Sequence, residues 1–175
     1  GKTFDVNLLK ADQHGESEIG TVSAMYSPFC GGYSVVMSYS DIDNYGPLLY
    51  DIAMEYVGHE GIMCDRSSVS SDAAHVWDFY LNSRPDVKAV QLDYNREPFI
   101  TPEDKSDDCP GNTFTKHASD EIEEAEPESY GHFYPLRWPT QQEPWKAHWP
   151  TKKYVKIGGR PTIDKLSDMG ILEYK

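Results

Sequence analysis

An α/β domain is what the sequence predicts, and three observations carry that expectation. Apolar residues recur at helical spacing in two stretches, 46–57 and 71–82. Short runs of strand-forming residues flank each of them. The 175 residues are one domain's worth, long enough to close a single hydrophobic core.

Taken in order, Thr3 to Leu9 alternates weakly and reads as a strand. Asp12 to Ser17 is a polar turn around Gly15. Ile19 to Tyr26 is rich in strand formers, and Pro28, Gly31 and Gly32 punctuate its end. Tyr33 to Tyr39 reads as a strand with Val35 and Met37 on one face and Val36 on the other. The first helix has Asp43 or Asn44 as its cap, Pro47 in its first turn and Gly58 as its stop. Leu48, Leu49, Ile52, Ala53, Tyr56 and Val57 form its apolar stripe. Gly61 to Cys64 is short enough for a buried strand. Ser70 caps a second helix whose apolar side carries Ala73, Val76, Trp77, Tyr80 and Leu81, and Val87 to Leu92 returns to strand character. Strand–helix–strand–helix–strand implies parallel pairing through right-handed crossovers.

After Tyr94 the periodicity fades. Residues 95–129 form an acidic connection that includes Glu121, Glu123, Glu124, Glu126 and Glu128. Residues 130–154 interleave proline with Tyr130, Phe133, Tyr134, Trp138, Trp145 and Trp149. The chain therefore divides into a core at 1–94, the acidic segment, and an irregular aromatic-rich extension at 130–175, packed on the core or on a protein partner. Thr162 is the expected cap of a short last helix closed by Gly170, with Ile171 to Tyr174 as a final strand or tail.

Charge narrows the function classes. Acidic against basic residues number 15 to 6 over 1–100, 10 to 2 over 101–129, and 4 to 8 over 130–175, for a net charge of −13. An acidic surface repels phosphate backbones, which disfavours nucleic acid. No window approaches the roughly 20 apolar residues of a membrane span, and no leader is read. The cysteines, Cys30, Cys64 and Cys109, are odd in number and far apart, so three reduced thiols in a cytoplasmic protein are expected. His132 and His148 lack metal-like spacing, and no metal is expected.

The informative junction is Ser38-Tyr39-Ser40-Asp41-Ile42-Asp43-Asn44-Tyr45-Gly46-Pro47, where a strand ends and a capped helix begins. Unpaired backbone N–H groups and the helix dipole make such a start a site for an anion. Arg66, after the short strand, is placed to meet a phosphate or carboxylate, or to pair with a local acid.

The order strand (33–39), loop, helix (46–57), strand (61–64), helix (71–82), strand (87–92) resembles the second half of the GNAT superfamily of N-acyltransferases, including phage-encoded GNAT-like proteins. Tyr45-Gly46-Pro47-Leu48-Leu49-Tyr50 is similar to the end of the family's pyrophosphate loop and the start of its helix. Gly61-Ile62-Met63-Cys64-Asp65 is similar to its fifth strand, and Ser71-Asp72-Ala73-Ala74 through Tyr80 to its last helix. The resemblance implies a GNAT-like mixed sheet with two main helices. It also implies acetyl-CoA as cofactor, held by Ser38, Tyr39, Ser40, Asn44, Tyr45 and Gly46 with Arg66, and acyl transfer to an amine. Tyr80 would be the acid for the leaving thiolate and His75 the base, with Glu18 and Asp65 as other base candidates. Two departures stand out: the loop keeps only Gly46, and the family's tyrosine position, counted from Ala73, holds Trp77, which has no acidic proton to give at neutral pH. Two further readings stay open. One is a non-catalytic GNAT-like structural or accessory protein, in a virion for instance. The other is an acidic mimic or inhibitor working through residues 101–129.

Overall fold

A computed structural model describes residues 1–65, 69–92, 133–134, 149 and 152–175. The protein is α/β. Its main sheet has six strands in the order β1 (Thr3–Asp12), β2 (Gly15–Ser27), β3 (Gly32–Ser40), β4 (Ile62–Met63), β8 (Lys152–Lys156) and β6 (Val87–Gln91). A two-stranded ladder pairs β5 (Val69–Ser70) with β7 (Phe133–Tyr134). The helices are α1 (Tyr45–Val57), α2 (Ser71–Asn82) and α3 (Pro161–Asp168).

The first three strands form an antiparallel meander. Its first turn is tighter than the polar stretch 12–17 suggests, because the ladder continues to the Asp12–Gly15 pair. Gly15 takes φ +125° there, a conformation that costs glycine little. Val22, Ala24 and Val35 alternate onto the face that α1 covers, and Leu49 of that helix approaches the backbone at Gly20.

In β3 the ladder slips. Ser23 pairs with Met37 but Ala24 pairs with Val35, so Val36 has no partner in β2. This bulge corrects the expected facing of β3: Val35 is buried, whereas Met37 is 53% exposed on the other side. An extra residue moves every later side chain by one position of a two-residue period, which alternation alone does not reveal.

Helix α1 crosses over and delivers β4 parallel to β3. A one-turn 3-10 helix, Gly58–Glu60, follows Val57, and Gly58 caps α1 with φ +58°. Tyr56 departs from the expected apolar stripe and is half exposed, while Tyr50, Met54 and Glu55 are buried. The second crossover is correct only in direction. Strand β6 does not pair with β4; β8 lies between them, antiparallel to both. The C-terminal segment is thus a central part of the sheet, not an appendage to it.

The last helix starts on Pro161, with Arg160 at the cap position and no side-chain cap. Thr162, the expected cap, lies inside the helix, and Glu55 accepts its backbone N–H at 3.1 Å and that of Ile163 at 2.8 Å. Residues 171–175 form no strand.

The cysteine expectation is also overturned. Cys30 is disulfide-bonded, while Cys64 is a buried cysteine outside any disulfide. Disulfides belong mainly to oxidising compartments, so Cys30 weighs against the expected cytoplasmic setting. Among the described residues no helix is long and apolar enough to cross a membrane.

Candidate functional site: the opening between β3 and β4

Strands β3 and β4 pair only at Tyr33–Ile62 and Ser34–Met63. Beyond Ser34, β3 runs on for six residues with no described strand on that edge. Both residues of β4 are paired, and side chains make the contacts next to the ladder. Ser34 donates to the Cys64 carbonyl at 3.3 Å, and the Tyr50 hydroxyl donates to Ser38 Oγ at 2.9 Å. Tyr50 is a buried α1 residue, and burial pushes its hydroxyl up to about 12.

Behind Tyr50 stands an aromatic wall. Trp77 meets it edge-on at 5.2 Å, and Tyr154 of β8 lies 5.4 Å from Trp77 and 5.9 Å from Tyr80. These centroid distances suit edge and offset contacts between rings. All four rings are buried, so the face of the opening towards α1 and α2 is filled.

At the far end of β3 the chain turns into α1. Asn44 occupies the cap position in the left-handed region, φ 68°, with no side-chain cap bond. The first turn of α1 contains no acidic residue. Tyr45 N–H reaches the Ile42 carbonyl at 3.4 Å, Pro47 has no N–H, and the Gly46 amide lies in the first turn, which no helix carbonyl serves. Asp41 and Asp43 are exposed.

The side chains named from sequence are largely engaged elsewhere. Ser38 accepts from Tyr50, and Ser40 Oγ donates to the Ile42 carbonyl at 2.8 Å while accepting from its N–H. The Tyr39 hydroxyl donates to Glu18 at 2.7 Å, and that bond holds its pKa above the ordinary tyrosine value. What remains for a ligand is backbone. Asn44, Tyr45 and Gly46 stand together at the helix start, and a Cβ on Gly46 would meet nothing within 4 Å. Arg66 lies outside the described residues.

Tyr80 and His75 are not brought together: His75 is exposed on α2, whereas Tyr80 is buried. The Tyr80 hydroxyl donates to Asp51 at 3.2 Å. Burial, reinforced by the Asp51 charge, raises its pKa well above the ordinary value, so it is a weak acid there. Asp51 in turn accepts two bonds from Arg84, each 3.1 Å, and Arg84 also grips Asp86 at 2.7 Å. Lys156 joins Asp86 at 2.8 Å and lies 3.6 Å from both Asp51 and Glu55. Nothing in the sequence announces this network, because its members are spread over α1, α2, the turn after α2 and β8, with no spacing to link them.

Among the described residues no group of three or more His, Cys, Asp or Glu is placed to hold a metal. No family model, curated protein or solved structure matches the chain.

Proposed function

We propose that this protein is an acyl-CoA-dependent N-acyltransferase of the GNAT kind, acting on an amine. The observation that carries the reading is the edge of β3 beyond Ser34, which no described strand pairs, running straight into the start of α1, where Asn44 makes no side-chain cap bond. A cofactor that is a linear chain of amides ending in a pyrophosphate needs these two features in that order. An unpaired strand edge offers alternating N–H and C=O groups to an amide chain. A helix start offers amides and a partial positive charge to the anion. The resemblance noted in the sequence names the same stretch, and the mixed sheet supports it with three antiparallel strands, a crossover helix and a short parallel strand.

Acetyl-CoA would supply the activated acyl group. The chain's part is to orient it and to polarise its carbonyl through a backbone N–H near the Val36 bulge, where bulges re-aim main-chain groups. With Tyr80 committed to Asp51, catalysis would rest on positioning and carbonyl polarisation, and water would protonate the thiolate.

The second reading, a non-catalytic GNAT-like accessory protein, is favoured by one observation: Trp77 and Tyr80 are both locked in the buried aromatic wall. Calorimetric titration of the full chain with acetyl-CoA and with CoA tests the first reading. Micromolar binding is expected, weakened at least tenfold in Gly46→Trp, where open space lets the indole fold over the helix start. No heat at millimolar ligand from folded protein would sink it. Binding without transfer to any amine would leave the second reading standing.

A further inference from the structure

The two faces of the β1–β2–β3 meander differ sharply. Val6, Val22, Ala24 and Val35 pack with α1 in the core. The pairing register puts Leu9, Met25, Met37 and Tyr39 on the opposite face, where they are 42%, 47%, 53% and 41% exposed. Four large apolar side chains exposed on one sheet face are of the kind that mark contact surfaces.

Charge selects the occupant. The same register places Asp5, Glu16 and Glu18 on this face, all exposed. Lys10 is the sole basic residue in the three strands, and it alternates to the other side. The face therefore sets four large apolar side chains among three carboxylates and the polar Asn7, Thr21 and Ser23, and carries no strand-borne cation. A second copy is a poor occupant, because it would bring the same carboxylates and a further net charge of −13. Sheets in two-layer domains are covered by helices. From the Met25 row to the Glu18 row is roughly 23 Å at about 3.3 Å per residue, the length of about 15 helical residues.

We propose that this face docks a basic amphipathic helix of a partner protein. Leucine-like side chains of the helix lie on Met25, Met37, Tyr39 and Leu9, and its lysines or arginines meet Asp5, Glu16 and Glu18. The proposal rests on none of the acyl-transfer reading: it shares the stretch of β3 that carries Met37 and Tyr39, but uses their side chains on the face away from α1 and not the main-chain edge or the helix start.

The five methionines supply the test. Met54 and Met63 are fully buried, Met169 is exposed just after α3, and Met25 and Met37 lie on the patch. The full chain, labelled with 13C at the methionine methyls, is titrated with a Leu/Lys peptide of about 15 residues whose leucines line one helical face. The expected result is saturable, micromolar shifts at Met25 and Met37, with Met54, Met63 and Met169 unmoved. Asp5→Lys combined with Glu16→Lys weakens binding roughly tenfold, and unchanged Met54 and Met63 signals show that the fold is intact. Equal binding by a scrambled peptide of the same composition overturns the proposal. So does an equal shift at Met169, or indifference to the charge reversal. If a soluble paramagnetic agent fails to reach Met25 and Met37 in the free protein, the chain or a second copy already covers the face, and the proposal fails on that ground too.

Discussion

Glu55 shows how single residues join the two ends of this chain. Its side chain has no exposure, and an isolated carboxylate there would be strongly disfavoured. It is held by the N–H groups of Thr162 and Ile163 and by Lys156, whose own side chain is almost fully buried. A carboxylate at the start of α3 also meets the positive end of the helix dipole. Asp86 belongs to the same network but sits at its rim, 41% exposed. The hydrogen bond from Arg84 leads in holding its carboxyl well below the usual range, with Lys156 helping. A depressed folded-state value stabilises the protein in full above the unfolded value of about 4 and loses that contribution as pH falls towards the folded one. Asp86→Asn should therefore cost about 1 kcal/mol at pH 7, a small figure because water screens the rim. The deficit should shrink steadily below about pH 4. Urea melts across that range check it, and a constant deficit down to strong acid would refute the linkage.

Local chemistry decided which elements were legible. Strands β1 to β3 and helices α1 and α2 follow alternation or helical spacing over seven or more residues, and the sequence reading found each of them. The facing of Met37 was hidden, because a bulge is a register event between strands and leaves no mark within one strand. The core place of β8 was hidden too, since Lys152-Lys153-Tyr154-Val155-Lys156 buries a single side chain fully. At the candidate site, the position of the helix start was legible from Asn44 and Pro47, although Asn44 makes no side-chain cap bond, whereas the tie of Tyr80 to Asp51 was not legible. Gly61 shows the reverse case, where one residue type sets how two elements meet. It lies just before β4 with φ +71°, and a Cβ there would come within 2.9 Å of the Tyr154 carbonyl oxygen. Left-handed strain and a clash with backbone act together, so Gly61→Ala should destabilise by about 3 kcal/mol. Thermal unfolding checks this. Gly46→Ala is the control, since its added Cβ meets nothing and the loss should be small.

On the scale of the molecule, β8 decides whether β6 is joined to the rest of the sheet. It pairs with β4 through Ile62–Tyr154 and with β6 along five residue pairs. Without it, β6 has no described strand beside it, and the apolar residues under Tyr154 lose their cover. Tyr154 also closes the aromatic wall behind Tyr50 and donates to the Trp149 carbonyl at 3.0 Å. Lys156 and Ile163 bring in the ion network and α3 from the same segment. A chain ending at Thr151 would thus lose a central strand, not a tail. Its backbone groups would be unpaired on both sides of the gap, and such edges associate. The truncated chain should show no cooperative thermal transition and should aggregate, as read by circular dichroism and sedimentation. A soluble product with a sharp melt would mean that residues 1–151 close a core of their own. In that case the six-strand order would not be the stable form of the protein.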